Sequence, residues 1–133
     1  MYRLSCYEFS GFLTLARTRS VEKSLSICSL IPQDYSQDCS LRVGEALFLT
    51  GKKTPEGIAA LCREAKGIIE QKDCIEGAVN TSIFGPDSSN GELAIKICSA
   101  AREFFKGKCF GLLGARLEKT FGTSLRKETC SKV

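Results

Sequence analysis

The chain has no histidine and no tryptophan. Without histidine, Ser-His-Asp and Cys-His catalysis are excluded, and so is every metal site built on an imidazole. Long apolar runs are missing too. No stretch approaches the ~18 residues that a membrane span requires. A convincing signal peptide is also missing. "FSGFLTLA" (Phe9 to Ala16) is short and sits behind Cys6 and Glu8, and "RLSC" lacks the apolar residue expected three places before a lipoprotein cysteine. No segment alternates as a strand does, so no glycine-rich phosphate loop can follow one. A redox C-x-x-C is absent as well.

What is present is an ordinary globular composition with an excess of cysteine. The 133 residues fit one domain, residues 1–133, with 43% hydrophobic and 26% charged content. Net charge is +4, unevenly spread. From Leu93 onward nine Lys/Arg face three Glu, giving +6, so the first 92 residues carry −2. Such a basic tilt suits either a solvated helical surface or a face for acidic partners. Eight cysteines, an even number, favour an oxidising compartment. Structural zinc sites place cysteines two to four residues apart, whereas the closest pair here is eleven apart. The expectation is a secreted or periplasmic protein in its mature form without a signal peptide, with no metal and no cofactor.

The cysteines are periodic. Cys28, Cys62 and Cys98 step by 34 and 36, and Cys39, Cys74 and Cys109 step by 35 and 35. Cys130 and Cys6 extend the two series. A period near 35 is the mark of stacked supersecondary units. Each unit reads as two helices. Ser20, Thr54 and Asn90 stand eight residues before a first-type cysteine as N-caps, and Pro55 follows Thr54 where its missing N–H costs nothing. Glu22, Glu56 and Glu92 favour the positive end of the helix dipole. Apolar residues then recur at helical spacing: Ile58, Leu61, Ala65, Ile68 and Ile69 in one unit, Leu93, Ile97, Ala101, Phe104 and Phe105 in another. The predicted order alternates second-type helices at about 3–17, 36–50, 74–84 and 109–121 with first-type helices at about 21–31, 55–69, 91–105 and 123–131. The second-type helices are capped by Asp38 and Asp73. Gly111 and Gly114 are read as close-packing positions, and the N-glycosylation sequon at Asn80 as a chance match inside a helix.

Two disulfide patterns remain open. Within-unit pairs would join Cys28 to Cys39, Cys62 to Cys74 and Cys98 to Cys109, leaving Cys6 and Cys130. Sequential pairs, Cys6–Cys28, Cys39–Cys62, Cys74–Cys98 and Cys109–Cys130, use all eight and place each pair about equally far from a turn, so the sequential pattern is favoured. Loops of this size would each stabilise by roughly 3 kcal/mol.

A 34-to-36-residue helix-turn-helix repeat resembles the tetratricopeptide and Sel1-like families. With Pro55 as the first position, Cys62 and Cys74 fall where small residues pack the two helices, and Pro86 falls at the usual proline. Ala65 and Ala78 stand where those families carry large rings, and no other unit has the proline. Cysteine-rich Sel1-like proteins also carry one cysteine pair per repeat, bridging the two helices of a unit with a shorter spacing. The resemblance implies an all-α array of antiparallel hairpins whose first helices line a concave face. It points to Arg63, Lys66 and Ala59 in one unit, Ser99, Arg102 and Ile95 in the next, and Ser131 and Lys127 in the terminal half unit. The expected function is non-catalytic binding of a protein or peptide, acidic segments in particular, with Arg63, Lys66, Ser99, Arg102 and Lys127 as contact residues and no nucleic-acid role. The alternatives are a secreted compact helical ligand acting on a receptor and, least favoured, an enzyme of the cysteine-rich Sel1-like type.

Overall fold

A computed structural model describes residues 2–50, 54–84 and 91–121. Among these it holds seven α-helices and no strand: α1 (Tyr2–Thr18), α2 (Val21–Leu30), α3 (Gln33–Leu49), α4 (Pro55–Cys62), α5 (Ile68–Phe84), α6 (Glu92–Ala100) and α7 (Glu103–Phe121). The helix expected at 123–131 and the loop around Pro86 lie outside the described residues, as do Cys130, Ser131 and Lys127.

Helix starts follow the local chemistry. Ser20 and Thr54 accept hydrogen bonds from the backbone amides of Lys23 and Gly57, and Pro55 occupies the first turn of α4. The third first-type helix is capped instead by Gly91, whose φ of 82° only glycine adopts without cost. At the other end of α1, Arg19 takes φ 57° while its amide closes on the Leu15 carbonyl.

The lengths depart from expectation in one consistent direction. The first-type helices α2, α4 and α6 end within two residues of Cys28, Cys62 and Cys98. Each second-type helix then begins three to six residues earlier than expected, and Asp38 and Asp73 lie inside α3 and α5 rather than capping them. Pro32, with no N–H to contribute, marks the entry to α3. Ile68, Ile69 and Phe104, expected on a buried stripe, therefore fall at the starts of α5 and α7 and are exposed, whereas Ala65 and Phe105 are buried.

The sequential disulfide pattern is overturned. The bonds are Cys28–Cys39, Cys62–Cys74 and Cys98–Cys109, with Cα separations of 5.4, 5.6 and 5.5 Å. Cys6 is a free, exposed thiol. Helix rise gives the reason. Cys28 and Cys39 both stay within about 9 Å of their shared connection, and the residue of α1 that lies against their sulfurs is Gly11, five residues beyond Cys6.

The six bonded sulfurs are fully buried in one core with Leu25, Val43, Leu47, Val79, Ile83, Ile97, Leu113 and Leu117. Each long helix packs on the next long one, α1 on α3, α3 on α5 and α5 on α7, and the short helices α2, α4 and α6 pack against them and in turn against one another. Tyr7 stacks on Tyr35, Ser10 lies 3.5 Å from the Cys39 sulfur and Gly11 faces Val43, so α1 and α3 run parallel. Arg42 of α3 clamps this pair: its guanidinium bonds Glu8 at 2.6 Å and Glu45 at 2.8 Å and lies over the Phe9 ring. Gly111 does not serve close packing, since a Cβ there would meet open space.

Candidate functional site

The short first-type helices move the expected contact residues. Arg63 is the C-cap of α4, Lys66 lies in the α4–α5 connection, and Arg102 lies between α6 and α7. All three are exposed, as is Ser99 on α6. Arg63, Lys66 and Arg102 sit on the connections beside the disulfides, and Ser99 sits in the last turn of α6. Ala59 and Ile95, expected on the same face, are instead buried in the core.

Arg63 and Arg102 do come together. They line one narrow cleft between the α4–α5 and α6–α7 connections, with Gln71, Lys72, Phe104 and Phe105. Its interior space is about 10 Å³, room for about one water. Arg63 holds itself back on α4 by a 3.4 Å bond from Nε to the Ala59 carbonyl. Phe104 leaves 55% of its surface exposed at the rim. Gln71 donates to the Ala65 carbonyl at 2.7 Å, while its own carbonyl oxygen is buried without a hydrogen-bond partner. Three cationic heads around an aromatic rim can engage a carboxylate, and the two guanidinium groups can do so bidentately. Lys66 and Ser99 do not line this cleft. Lys66 instead stands 4.0 Å from Glu22 of α2 as a solvated ion pair, an arrangement that contributes little.

Lys72, Gln71 and Phe104 were missed by sequence reasoning. Lys72 carried no periodic signal, and Phe104 was absorbed into an apolar stripe that the early end of α6 breaks. Ile68 and Ile69 at the start of α5 and Leu30 at the end of α2 are likewise exposed.

A second, larger cleft of about 490 Å³ opens between the α2–α3 region and the start of α5. Its lining is part polar, with Ser29, Gln33, Ser36, Gln37, Glu70, Lys72 and Asp73, and part apolar, with Ile31 and Ile69. Asp73 is only 3% exposed, and its Oδ1 has no hydrogen-bond partner. Lys72 Nζ lies 3.7 Å away, an ion pair too long for a hydrogen bond. Burial pushes the Asp73 carboxyl up to about 6, against the lowering pull of Lys72 and with Glu76 and Glu70 adding to the rise.

Two further features are accounted for locally. Ser20 and Lys23 have the spacing of an S-x-x-K nucleophile motif, but Ser20 Oγ accepts the Lys23 amide as a helix cap. In the sequon, Ser82 is fully buried in α5 and donates to the Val79 carbonyl. Among the described residues no group of three or more Cys, Asp or Glu is placed to hold a metal ion, and no helix is long and apolar enough to cross a membrane. The chain matches no protein-family model, no curated protein and no solved structure.

Proposed function

We propose that this chain is an exported, non-catalytic helical repeat domain of the tetratricopeptide/Sel1-like kind that binds a protein or peptide through an acidic segment. The observation that carries the reading is the meeting of Arg63 and Arg102, from two successive units, at one cleft with Lys72 and the exposed Phe104. Three disulfides fit an extracellular or periplasmic setting. Their pairing of the short helix with the long helix that follows it supports the Sel1-like resemblance, as does the packing of each long helix on the next. A basic cleft with an aromatic rim, the exposed Phe104, recognises a carboxylate next to an apolar side chain.

The test is fluorescence anisotropy with a labelled peptide of alternating Glu and Leu and a Gln/Leu control. The Glu peptide should bind the oxidised protein more tightly, and its affinity should fall with salt. Reversing both arginines (Arg63→Glu with Arg102→Glu) should weaken binding by at least about tenfold, the sum of two charge-assisted contacts, with an unchanged melting temperature. Equal affinity for the two peptides, or undiminished binding by the double variant, rejects this cleft as the working surface.

A further inference from the structure

We propose that the cleft between α2–α3 and the start of α5 is a binding site for an organic cation bearing several N–H donors, an alkylguanidinium or a primary alkylammonium, with the Asp73 carboxylate as its acceptor. The cleft borders the Arg63–Arg102 cleft, with Lys72 lining both, but it is walled by Ser29, Ser36 and Gln37 where the other is walled by the α6–α7 connection and the start of α7.

Asp73 is where the argument starts. A carboxylate this deeply buried is normally paired or fully hydrogen-bonded, because leaving it bare forfeits its hydration. Here Oδ1 has no hydrogen bond, yet the residue lines a cleft of about 490 Å³, large enough for a side-chain-sized ligand. The nearest cation, Lys72 Nζ, stops at 3.7 Å. The charged groups at the cleft, Glu70, Lys72 and Asp73, all come from α5, and α2 and α3 contribute only neutral ones. The lining therefore carries a net single negative charge.

The neutral wall selects the kind of cation. The Ser36 hydroxyl already donates to the Cys28 carbonyl at 2.8 Å, so what it presents to the cleft is an acceptor. The amide oxygens of Gln33 and Gln37 are acceptors as well. A group that is positive and carries several N–H donors can satisfy Asp73 and these oxygens together. A guanidinium or ammonium does so, whereas a quaternary ammonium has charge but no donor. Two carboxylates are too few for a tight divalent-metal site.

The experiment is a proton–nitrogen correlation titration of the whole oxidised chain with methylguanidinium, and in parallel with tetramethylammonium. Methylguanidinium should give saturable shifts at the amides of Ser36, Gln37 and Asp73. Tetramethylammonium, and methylguanidinium with the isosteric Asp73→Asn variant, should bind at least about tenfold more weakly, since each removes a charge-assisted hydrogen bond. Lys72→Met removes the competing ammonium and should tighten binding, which keeps the proposal testable if Asp73→Asn fails to fold. An arginine-containing peptide binding more tightly than methylguanidinium assigns the cation to a polypeptide, and equal binding assigns it to a small amine. Non-saturating shifts, an unchanged response in Asp73→Asn, or weaker binding by Lys72→Met overturns the proposal and leaves water as the partner of Asp73. Lys72 lines both clefts but Asp73 lines only this one, so the Asp73→Asn comparison keeps failure here separate from failure of the acidic-segment reading.

Discussion

Gly44 of α3 and Gly77 of α5 form a reciprocal contact in which each lies against the carbonyl three residues earlier on the opposite helix. A Cβ on Gly44 would strike the Cys74 carbonyl oxygen, and one on Gly77 would strike that of Leu41. The atoms in the way are backbone, so a side chain cannot be relieved by a rotamer change. Gly44→Ala or Gly77→Ala should therefore cost about 2–4 kcal/mol despite alanine's better helix propensity. At Gly111, where nothing lies within 4 Å of the position, the same change should stabilise by about 0.5–1 kcal/mol. Urea unfolding of the three variants checks both signs. A tolerated Gly44→Ala would mean that α3 and α5 are farther apart than described.

Asp73 should make stability fall as pH rises from about 4 to about 6. Its folded pKa of about 6 lies above the ordinary 3.8, so the native state holds the proton more tightly than the unfolded chain does. The stabilising contribution is complete below the lower value and lost as pH passes the upper one. Asp73→Asn stays neutral throughout. It should match the wild type in melting temperature at pH 4 and exceed it at pH 7.5, by up to about 3 kcal/mol if the whole shift counts. Equal melting at both pH values would place the carboxyl in contact with solvent.

Peptide mapping without reduction should recover Cys62 linked to Cys74, and alkylation of the native protein should label Cys6. Replacing Cys62 and Cys74 together by Ser should cost about 3 kcal/mol, the loop-closure value for a ring of this length, plus whatever the buried hydroxyls add. Recovery of Cys39 linked to Cys62 would instead restore the sequential pattern.

Arg19 ends α1 in the left-handed region with φ 57°, a conformation that costs a residue with a Cβ about 1–2 kcal/mol. Its side chain is exposed, so Arg19→Gly should raise stability by up to about 1 kcal/mol after the entropy of glycine is charged against it. Thermal melts would register this as a rise of a few degrees, and a fall would mean that the Arg19 side chain holds a contact at the end of α1.

Much of the architecture was legible in the sequence because it is local. The N-caps at Ser20 and Thr54, Pro55, and the apolar spacing from Ile58 to Cys62 specify helices through interactions within a turn or two. Helix ends were less legible. Ile68, Ile69 and Phe104 continue an apolar pattern past the point where the chain turns, and periodicity cannot distinguish a buried stripe from an exposed ridge on the next helix. Disulfide partners, the Gly44–Gly77 contact, the joining of Arg63 to Arg102 and the burial of Asp73 at its cleft were decided only by the tertiary structure. Each depends on the distance between elements far apart in sequence, and that distance is set by how α3, α5 and α6 pack rather than by any residue's own neighbours.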